Sequence, residues 1–179
     1  MTSSPQQYPR GAASGSVRQL ARFNTVTQPD ALDLLSAVCA SPRWVRGMLS
    51  HRPYADAEAL FAANDAVVAR LSAADLAAAL AAHPPIGRPR PDDAVSTGEQ
   101  QGMARATARL KAEMLELNLA YQERFGHVFL ICATGLTGEQ MRDAVRERLR
   151  NPPERELDVV RVELGRINRV RLARLTAGA

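Results

Sequence analysis

The sequence is poor in the residues on which several classes of protein depend. Its 179 residues include two cysteines and three histidines, and aromatic residues make up 4%. Cys39 and Cys132 lie in apolar stretches without a partner at metal-ligand spacing, which predicts small buried side chains in a reducing compartment rather than a disulfide framework. No apolar run approaches the roughly 18–20 residues that cross a bilayer. We therefore expect neither a disulfide-stabilised protein nor a membrane protein.

Motifs for metal, phosphate and nucleophile chemistry are also missing. No histidine stands three or four positions from another histidine or from a cysteine, and a metal site would need such clustering. The sequence has no glycine-rich phosphate loop and no Gly-x-Ser-x-Gly elbow. We therefore expect no bound metal.

What the sequence does contain is a helical pattern of apolar residues. The length suits one domain with a substantial core. Residues 1–18 are polar and small, lack the apolar stretch of a secretory signal, and predict a disordered tail. Over residues 19–176 apolar side chains recur every three to four positions. This pattern predicts a single all-α domain of about eight helices without a sheet.

Four segments frame the centre of this domain. Ser72 is a candidate N-cap for an alanine-rich helix over residues 73–82, which the following prolines end. Residues 84–95, rich in proline, predict an irregular loop, and residues 96–124 predict one long helix. Residues 127–133 form an apolar run with no second strand to pair with, so we expect buried extended or helical chain.

The basic charge leaves a second class of function open. The net charge is +4 and the pI about 9.7, and the last helical segment, Glu154 to about Leu175, carries six arginines. Such a helix could bind nucleic acid or an acidic partner. Basic residues alternate with acidic ones, however, as on a solvated helix face. A non-catalytic binding module is therefore kept as an alternative.

His83 stands where the alanine-rich helix must end. In one interpretation it caps free carbonyls and faces water, with its pKa raised by the negative end of the helix dipole. The same position suits a general acid or a carboxylate anchor, because a raised pKa keeps the ring protonated. Both interpretations remain open on the residues alone.

The segment from Ser96 to Gln100 also allows two interpretations. Ser96 and Glu99 have the spacing of a capping box, in which Glu99 folds back onto the Ser96 N–H. Ser96, Glu99 and Gln100 also fall at i, i+3 and i+4, so their side chains can project from one face. The helix N-terminus beneath them offers free N–H groups that suit an anion.

Short motifs over residues 20–175 together resemble the 2-oxo-4-hydroxy-4-carboxy-5-ureidoimidazoline (OHCU) decarboxylase family. They occur in the family's order and spacing. They are Phe23-Asn24, Leu34-Leu35 with Cys39, Ser41 and Trp44, Arg52-Pro53, His83-Pro84 with Ile86-Gly87, Ser96-x-x-Glu99-Gln100, Tyr121 to Phe125-Gly126, Phe129 to Ala133, Arg148-Leu149 with Asn151, Glu156, and Arg171-Leu172.

The resemblance implies an all-α enzyme of urate degradation that converts OHCU to (S)-allantoin without a cofactor or metal. It implies His83 as the catalytic histidine, to which we assign the proton-donor role, and Glu99 as the group that orients the substrate. The implied substrate-binding residues are Pro84, Ser96, Thr97, Gly98, Gln100, Phe129, Leu130, Ile131, Cys132, Ala133 and Arg171. The Arg-Leu pair alone selects Arg171, and Arg169 is the next candidate.

The resemblance also sets expectations for partners and location. The family is usually dimeric, so we expect a homodimer with a small-molecule substrate and no nucleic-acid or membrane partner. The bias toward alanine and arginine and the lack of a peroxisomal address predict a bacterial cytoplasm. An OHCU-decarboxylase-like relative that acts on another ureido or imidazoline acid is the alternative enzyme.

Overall fold

The computed structural model describes residues 11–177, and the side chains of residues 18–177. Within this range the chain forms ten helices and no strand. Their bounds are α1 Gly11–Thr25, α2 Gln28–Val38, α3 Pro42–Ser50, α4 Ala57–Ala69, α5 Ala73–Ala81, α6 Ala94–Glu99, α7 Gln101–Ala104, α8 Ala108–Phe125, α9 Gly138–Arg148 and α10 Pro153–Ala177. Eight of the helices have seven residues or more, which confirms the prediction of an all-α fold with about eight helices.

Helix α1 begins inside the segment that the sequence predicts to be tail. It starts at Gly11, so helical structure begins before residue 19, and residues 1–10 of the predicted tail lie outside the described residues. Among the helices of the described range, none combines the length and the apolar character needed to cross a membrane.

Local sequence signals set several helix ends. Ser72 caps α5 as expected: its side chain accepts the Asp75 N–H, and the Asp75 carboxylate accepts the Ser72 N–H at 3.0 Å. Gly126 ends α8 in the left-handed conformation, with φ at 76°, which glycine adopts without a steric cost. These ends depend on neighbouring residues only, and for that reason they can be predicted from sequence.

The prediction of one long helix over residues 96–124 is wrong, because the chain breaks twice there. Thr107 caps α8, its Oγ1 accepting the Leu110 N–H at 3.2 Å. Gly102 lies directly against the chain that precedes α9: a Cβ added to it would be 2.0 Å from the Leu136 carbonyl oxygen. Gly102 is inside the four-residue helix α7, where only a residue without a side chain allows this close backbone approach.

Two hydrophobic clusters form the core. The first is enclosed by α1 to α5 and α10 and includes the fully buried Leu35, Trp44 and Leu164. The second joins α7, α8 and α9 through Met114 and Met141, both almost fully buried. The loop after α5 and the chain between α8 and α9 run from one cluster to the other. The polar residues of interest lie where these clusters meet.

Residues 127–133 are extended and contribute side chains to both clusters. Side chains from other elements satisfy their backbone. Arg148 Nη1 donates to the Leu130 carbonyl at 2.6 Å, and the Cys132 N–H donates to Glu163 Oε2 at 2.8 Å. These two bonds take the place of strand pairing at Leu130 and Cys132, and the segment is not helical, so the helical alternative of the sequence prediction is wrong.

A buried ion pair anchors this segment. Arg148 donates from Nε and Nη2 to Glu156 Oε1, at 2.8 and 2.6 Å, and the two side chains are 8% and 1% exposed. Asn151 Nδ2 donates to Glu156 Oε2 at 2.7 Å, and the Tyr121 hydroxyl also donates to the carboxylate. Each charge is thus hydrogen-bonded as well as paired, which is the condition under which a buried ion pair is tolerated.

Candidate active site

His83 follows the end of α5 with its ring inside the protein. The residue is 9% exposed, whereas the capping interpretation expected it to face water. Nδ1 lies 2.9 Å from the Ala79 carbonyl oxygen. Because a carbonyl oxygen only accepts, Nδ1 carries the proton, and Nε2 of a neutral ring is left as an acceptor. This Nε2 is buried and has no hydrogen-bond partner.

The pKa of His83 moves in the direction opposite to the sequence prediction. Burial lowers it most, because desolvation disfavours the imidazolium form. The hydrogen bond to Ala79 raises the pKa, Arg171 lowers it, and the carboxylates of Glu99 and Asp93 raise it by smaller amounts. The expectation of a protonated histidine is therefore wrong. The helix-dipole argument applies to an exposed ring, and this ring is buried.

Glu99 contacts two arginines of α10 instead of capping its own helix. Arg171 binds it with two parallel hydrogen bonds, Nε to Oε1 at 3.0 Å and Nη2 to Oε2 at 2.9 Å. Arg174 Nη1 adds a longer contact to Oε1 at 3.3 Å. Two-point binding of a carboxylate by guanidinium is the strong form of this interaction. The capping-box interpretation of Glu99 is therefore wrong.

Asp93 takes the capping role predicted for Ser96. Its Oδ1 accepts the Ser96 N–H at 2.9 Å, and its Oδ2 accepts the Ser96 hydroxyl at 2.6 Å. Although burial raises the pKa of Asp93, the hydrogen bonds from Ser96 outweigh it and the pKa lies below its usual value. Ser96 is buried in α6. Its hydroxyl hydrogen is committed to Asp93, so the oxygen can only accept from a ligand.

Two amide side chains hold one peptide bond in the loop that follows His83. The Gly87 N–H donates to Gln100 Oε1 at 2.8 Å, and Asn118 Nδ2 donates to the Ile86 carbonyl at 2.8 Å. Both groups belong to the Ile86–Gly87 peptide bond. Gln100 is 6% and Asn118 is 8% exposed, so water does not compete strongly for these bonds. The loop is thereby fixed relative to α6 and α8.

Arg171, rather than Arg169, lies at this site. Its Nη1 donates to the Val38 carbonyl at 3.0 Å while Nε and Nη2 hold Glu99, so it joins α10 to both α2 and α6. Arg169 is 49% exposed and pairs with Asp65 at the surface. By position, therefore, Arg171 rather than Arg169 is the arginine of the candidate site.

The other predicted site residues divide into buried and exposed groups. Pro84 is buried beside His83, whereas Thr97 and Gly98 are exposed on α6. A Cβ added to Gly98 would meet nothing within 4 Å. Substrate contacts by Thr97 and Gly98 therefore remain predictions.

The segment from Phe129 to Ala133 includes Cys132, whose thiol pKa is affected by the charge of Glu99. Phe129, Leu130 and Ala133 are buried, while Ile131 and Cys132 are half-buried. Burial raises the pKa of the Cys132 thiol, and the charges of Glu163 and, to a smaller extent, Glu99 raise it further. Substrate contacts by this segment remain a prediction.

Sequence reasoning missed three polar residues of the site. Asp93 stands three residues before Ser96, the spacing of an N-cap and the N–H that it accepts, and Asn118 is a polar residue on the buried stripe of α8. Arg174 follows Arg171 by three positions on α10 and so shares its face. Each signal was present, but none distinguishes a site residue from an ordinary one without the fold.

No cluster of three or more His, Cys, Asp or Glu side chains suited to a metal ion occurs within the described range. The arginines of α10 are largely neutralised by carboxylates. Ion pairs are formed by Arg161 with Asp158, Arg166 with Glu163, Arg169 with Asp65, and both Arg171 and Arg174 with Glu99. This pairing accounts for the arginine-rich helix without invoking a polyanion.

Fold and site together define an all-α protein with a buried neutral histidine beside a glutamate–arginine pair, at the junction of two hydrophobic clusters. The sequence model of the OHCU decarboxylase family matches residues 24–173. This chain belongs to that family.

Individual relatives agree with this assignment. The chain is 34% identical over 144 residues to the uric acid degradation bifunctional protein TTL of Arabidopsis thaliana, covering 76% of this chain and 44% of that protein. It is 33% identical over 129 residues to the 2-oxo-4-hydroxy-4-carboxy-5-ureidoimidazoline decarboxylase of Amia calva, covering 69% and 74%. The chain thus spans less than half of the plant relative.

Among solved structures, the fold is similar to an OHCU decarboxylase crystallised in the presence of (S)-allantoin. The TM-score is 0.69 and the sequence identity 29%, and the match covers 80% of this chain and 96% of the other. The all-α architecture is therefore that of the family.

Proposed function

We propose that this protein decarboxylates OHCU to (S)-allantoin in urate degradation. The observation that carries the proposal is the unpaired, buried Nε2 of His83. The loop that follows His83 is hydrogen-bonded to Gln100, and the adjacent Glu99 forms the ion pair with Arg171. An unsatisfied buried acceptor costs about 1–3 kcal/mol unless a ligand satisfies it. Membership of the OHCU decarboxylase family supplies the substrate.

The substrate itself can accept the electrons that the reaction releases. In OHCU, ring carbon C4 carries the hydroxyl and carboxylate, and C5 carries the ureido group and a double bond to ring nitrogen. When the bond from C4 to the carboxylate breaks, CO2 leaves and the electron pair moves into the C4–C5 bond and onto that nitrogen. The protein has to supply orientation and proton transfer, and we propose that it uses neither a cofactor nor a metal.

We propose that neutral His83 first accepts and then donates a proton. Nε2 takes the 4-hydroxyl proton, so that the C4 carbonyl of allantoin can form. The resulting imidazolium then protonates C5, and water supplies the second proton, which the ring nitrogen requires. A lowered His83 pKa suits this cycle, because the ring starts neutral and the imidazolium is a stronger acid. The proton-donor role expected from the sequence thus becomes the second half of the cycle.

The remaining groups are proposed to bind and orient the substrate. Glu99, fixed by Arg171, accepts hydrogen bonds from ureido N–H groups. The Ser96 oxygen accepts another, and the free amide hydrogens of Gln100 donate to a ring or ureido carbonyl. We further propose backbone contacts from Thr97, Gly98 and the segment 129–133, with Pro84 packed against the ring.

Assembly and location are proposed from the family resemblance and the composition. We propose a homodimer, which light scattering at micromolar concentration will test. A bacterial cytoplasmic location and a domain spanning residues 19–176 stay predictions.

A coupled assay tests the proposed function. OHCU is generated enzymatically from urate, and circular dichroism follows allantoin, because only one enantiomer gives the signal of the enzymatic product. We expect the protein to accelerate the loss of OHCU and to yield (S)-allantoin, whereas heat-denatured protein leaves only the spontaneous reaction. A rate equal to that of the denatured control would rule out the proposal.

A further inference from the structure

Arg174 is the exposed member of a three-residue charge cluster at the site. Glu99 and Arg171 are 10% and 13% exposed in their side chains, whereas Arg174 is 48% exposed. Its contact with Glu99 is a single hydrogen bond of 3.3 Å, against two bonds of 2.9 and 3.0 Å from Arg171. Arg174 is therefore the group through which this buried cluster reaches solvent.

The charge of Arg174 is not needed to neutralise Glu99. Arg171 already pairs with both carboxylate oxygens, so the three residues together carry one positive charge in excess. A single contact from a half-exposed guanidinium adds little stability, because solvent screens it and the side chain loses rotamer freedom. The Arg174 guanidinium can therefore leave Oε1 at small cost and bind another anion.

We propose that Arg174 is a substrate-binding residue that captures the carboxylate of the incoming substrate at the entrance of the site. This inference rests on the proposed decarboxylation. Asp93, the other carboxylate near His83, is hydrogen-bonded to Ser96 and does not neutralise Arg174 directly. The inferred ligand is a small carboxylate that also carries hydrogen-bond donors. Arg174 binds its carboxylate, and its donors are presented to Glu99 and His83.

The chemistry of decarboxylation decides which kinetic constant this contact affects. The carboxylate is charged when the substrate binds and becomes neutral CO2 as the reaction proceeds. An interaction with that charge stabilises the bound substrate at least as much as the transition state. It therefore lowers KM without raising kcat.

Two charge-matched variants of α10 test the inference. We expect Arg174→Gln to raise KM about five- to tenfold and to leave kcat within about twofold. Arg169→Gln removes the same charge from the same helix but faces Asp65, so we expect both constants to stay within about twofold. Added salt should lower kcat/KM of the unmodified protein more steeply than that of Arg174→Gln, because the variant lacks the charge that salt screens.

Other results would overturn the inference. It fails if Arg174→Gln keeps the original KM, if it lowers kcat at constant KM, or if Arg169→Gln raises KM equally. Arg174→Lys keeps the charge and should recover part of the affinity, and a lysine variant as weak as the glutamine variant would contradict a charge-based role. If the unmodified protein does not convert OHCU, the proposed function fails instead, so the two failures are distinguishable.

Discussion

Among the described residues, two pairs of arginine and glutamate lie largely inside the protein, and they differ in what surrounds them. In the Arg148–Glu156 pair every carboxylate oxygen has a partner inside the protein, and the side chains are 8% and 1% exposed. In the Arg171–Glu99 pair the side chains are 13% and 10% exposed. One further contact comes from a half-exposed arginine, and an unpartnered histidine nitrogen lies nearby.

This difference distinguishes the pair that supports the fold from the pair that belongs to the candidate site. Arg148 and Glu156 fix the extended segment through the Leu130 carbonyl, and nothing remains for a ligand to bind. Around Glu99 the protein leaves an acceptor on His83 unused, which a folded chain tolerates only at some cost in stability. Burial, charge and paired oxygens are common to both carboxylates, so the unpaired Nε2 of His83 is what distinguishes the candidate site from the supporting pair.

Removing the supporting arginine should give the largest effect on stability. Arg148→Met leaves Glu156 buried without its cation, and we expect the free energy of unfolding to fall by about 3–5 kcal/mol. Urea unfolding followed by circular dichroism measures this loss. Arg146→Met is the control, because that arginine is 52% exposed and its loss should cost less than about 1 kcal/mol. Equal losses in both variants would remove the distinction between buried and surface pairs.

Glu99→Gln tests the other pair, and activity is its main readout. We expect kcat/KM to fall about 10- to 100-fold, because a neutral amide replaces a charged acceptor for the substrate. The free energy of unfolding should fall by only about 1–2 kcal/mol, since Arg171 keeps its bond to the Val38 carbonyl. A variant with full activity and a stability loss as large as that of Arg148→Met would show that Glu99 is structural.

Asn118→Ala tests the peptide clamp behind His83. The Ile86 carbonyl loses its buried donor, and we expect kcat to fall about tenfold because His83 shifts from its productive position. Asn151→Ala is a matched control, since it removes an amide that donates to Glu156 far along the chain from His83. It should reduce stability by about 1–2 kcal/mol and leave kcat of the folded protein unchanged. The same fall in kcat in both variants would contradict a specific role of the clamp.

The smallest effect concerns the pH dependence of stability. Burial lowers the pKa of His83 in the folded protein, so the unfolded chain takes up this proton at higher pH than the folded one. The contribution of this pKa difference to the free energy of unfolding is fully present above the unfolded pKa of about 6.5. It is lost as the pH falls through the pKa of the folded protein. We expect His83→Gln to flatten this part of the curve of unfolding free energy between pH 8 and 5. An unchanged difference between the two proteins across that range would contradict a buried neutral ring.

Features that depend on neighbouring residues could be predicted from the sequence. The capping of α5 by Ser72 and the helical class of the fold follow from local pattern. For residues 127–133 the sequence predicted buried chain and left extended and helical conformations open. Local pattern singled out His83 and Glu99 as candidates, but the family resemblance joined them to Arg171, because no spacing rule connects residues so far apart.

Features that depend on distant partners could not be predicted. Glu99 and its partner Arg171 are 72 positions apart, so the local sequence allowed a capping box or a side chain that projects with Ser96 and Gln100, but did not indicate this ion pair. The close approach of the Leu136 backbone to Gly102 is a contact between distant segments, and the direction of the His83 pKa shift arises from burial in the fold. In each case tertiary contacts decided between outcomes that the local sequence allowed equally.

The most direct test of the account is the activity of His83→Asn in the coupled urate-to-allantoin assay. Asparagine removes the acceptor nitrogen Nε2 and the proton cycle with it. We expect the enzymatic formation of (S)-allantoin to fall at least about 100-fold, while the far-ultraviolet circular dichroism spectrum keeps its helical signal. Formation of (S)-allantoin by His83→Asn at the rate of the unmodified protein would contradict the central claim that the unpaired nitrogen of His83 performs the reaction.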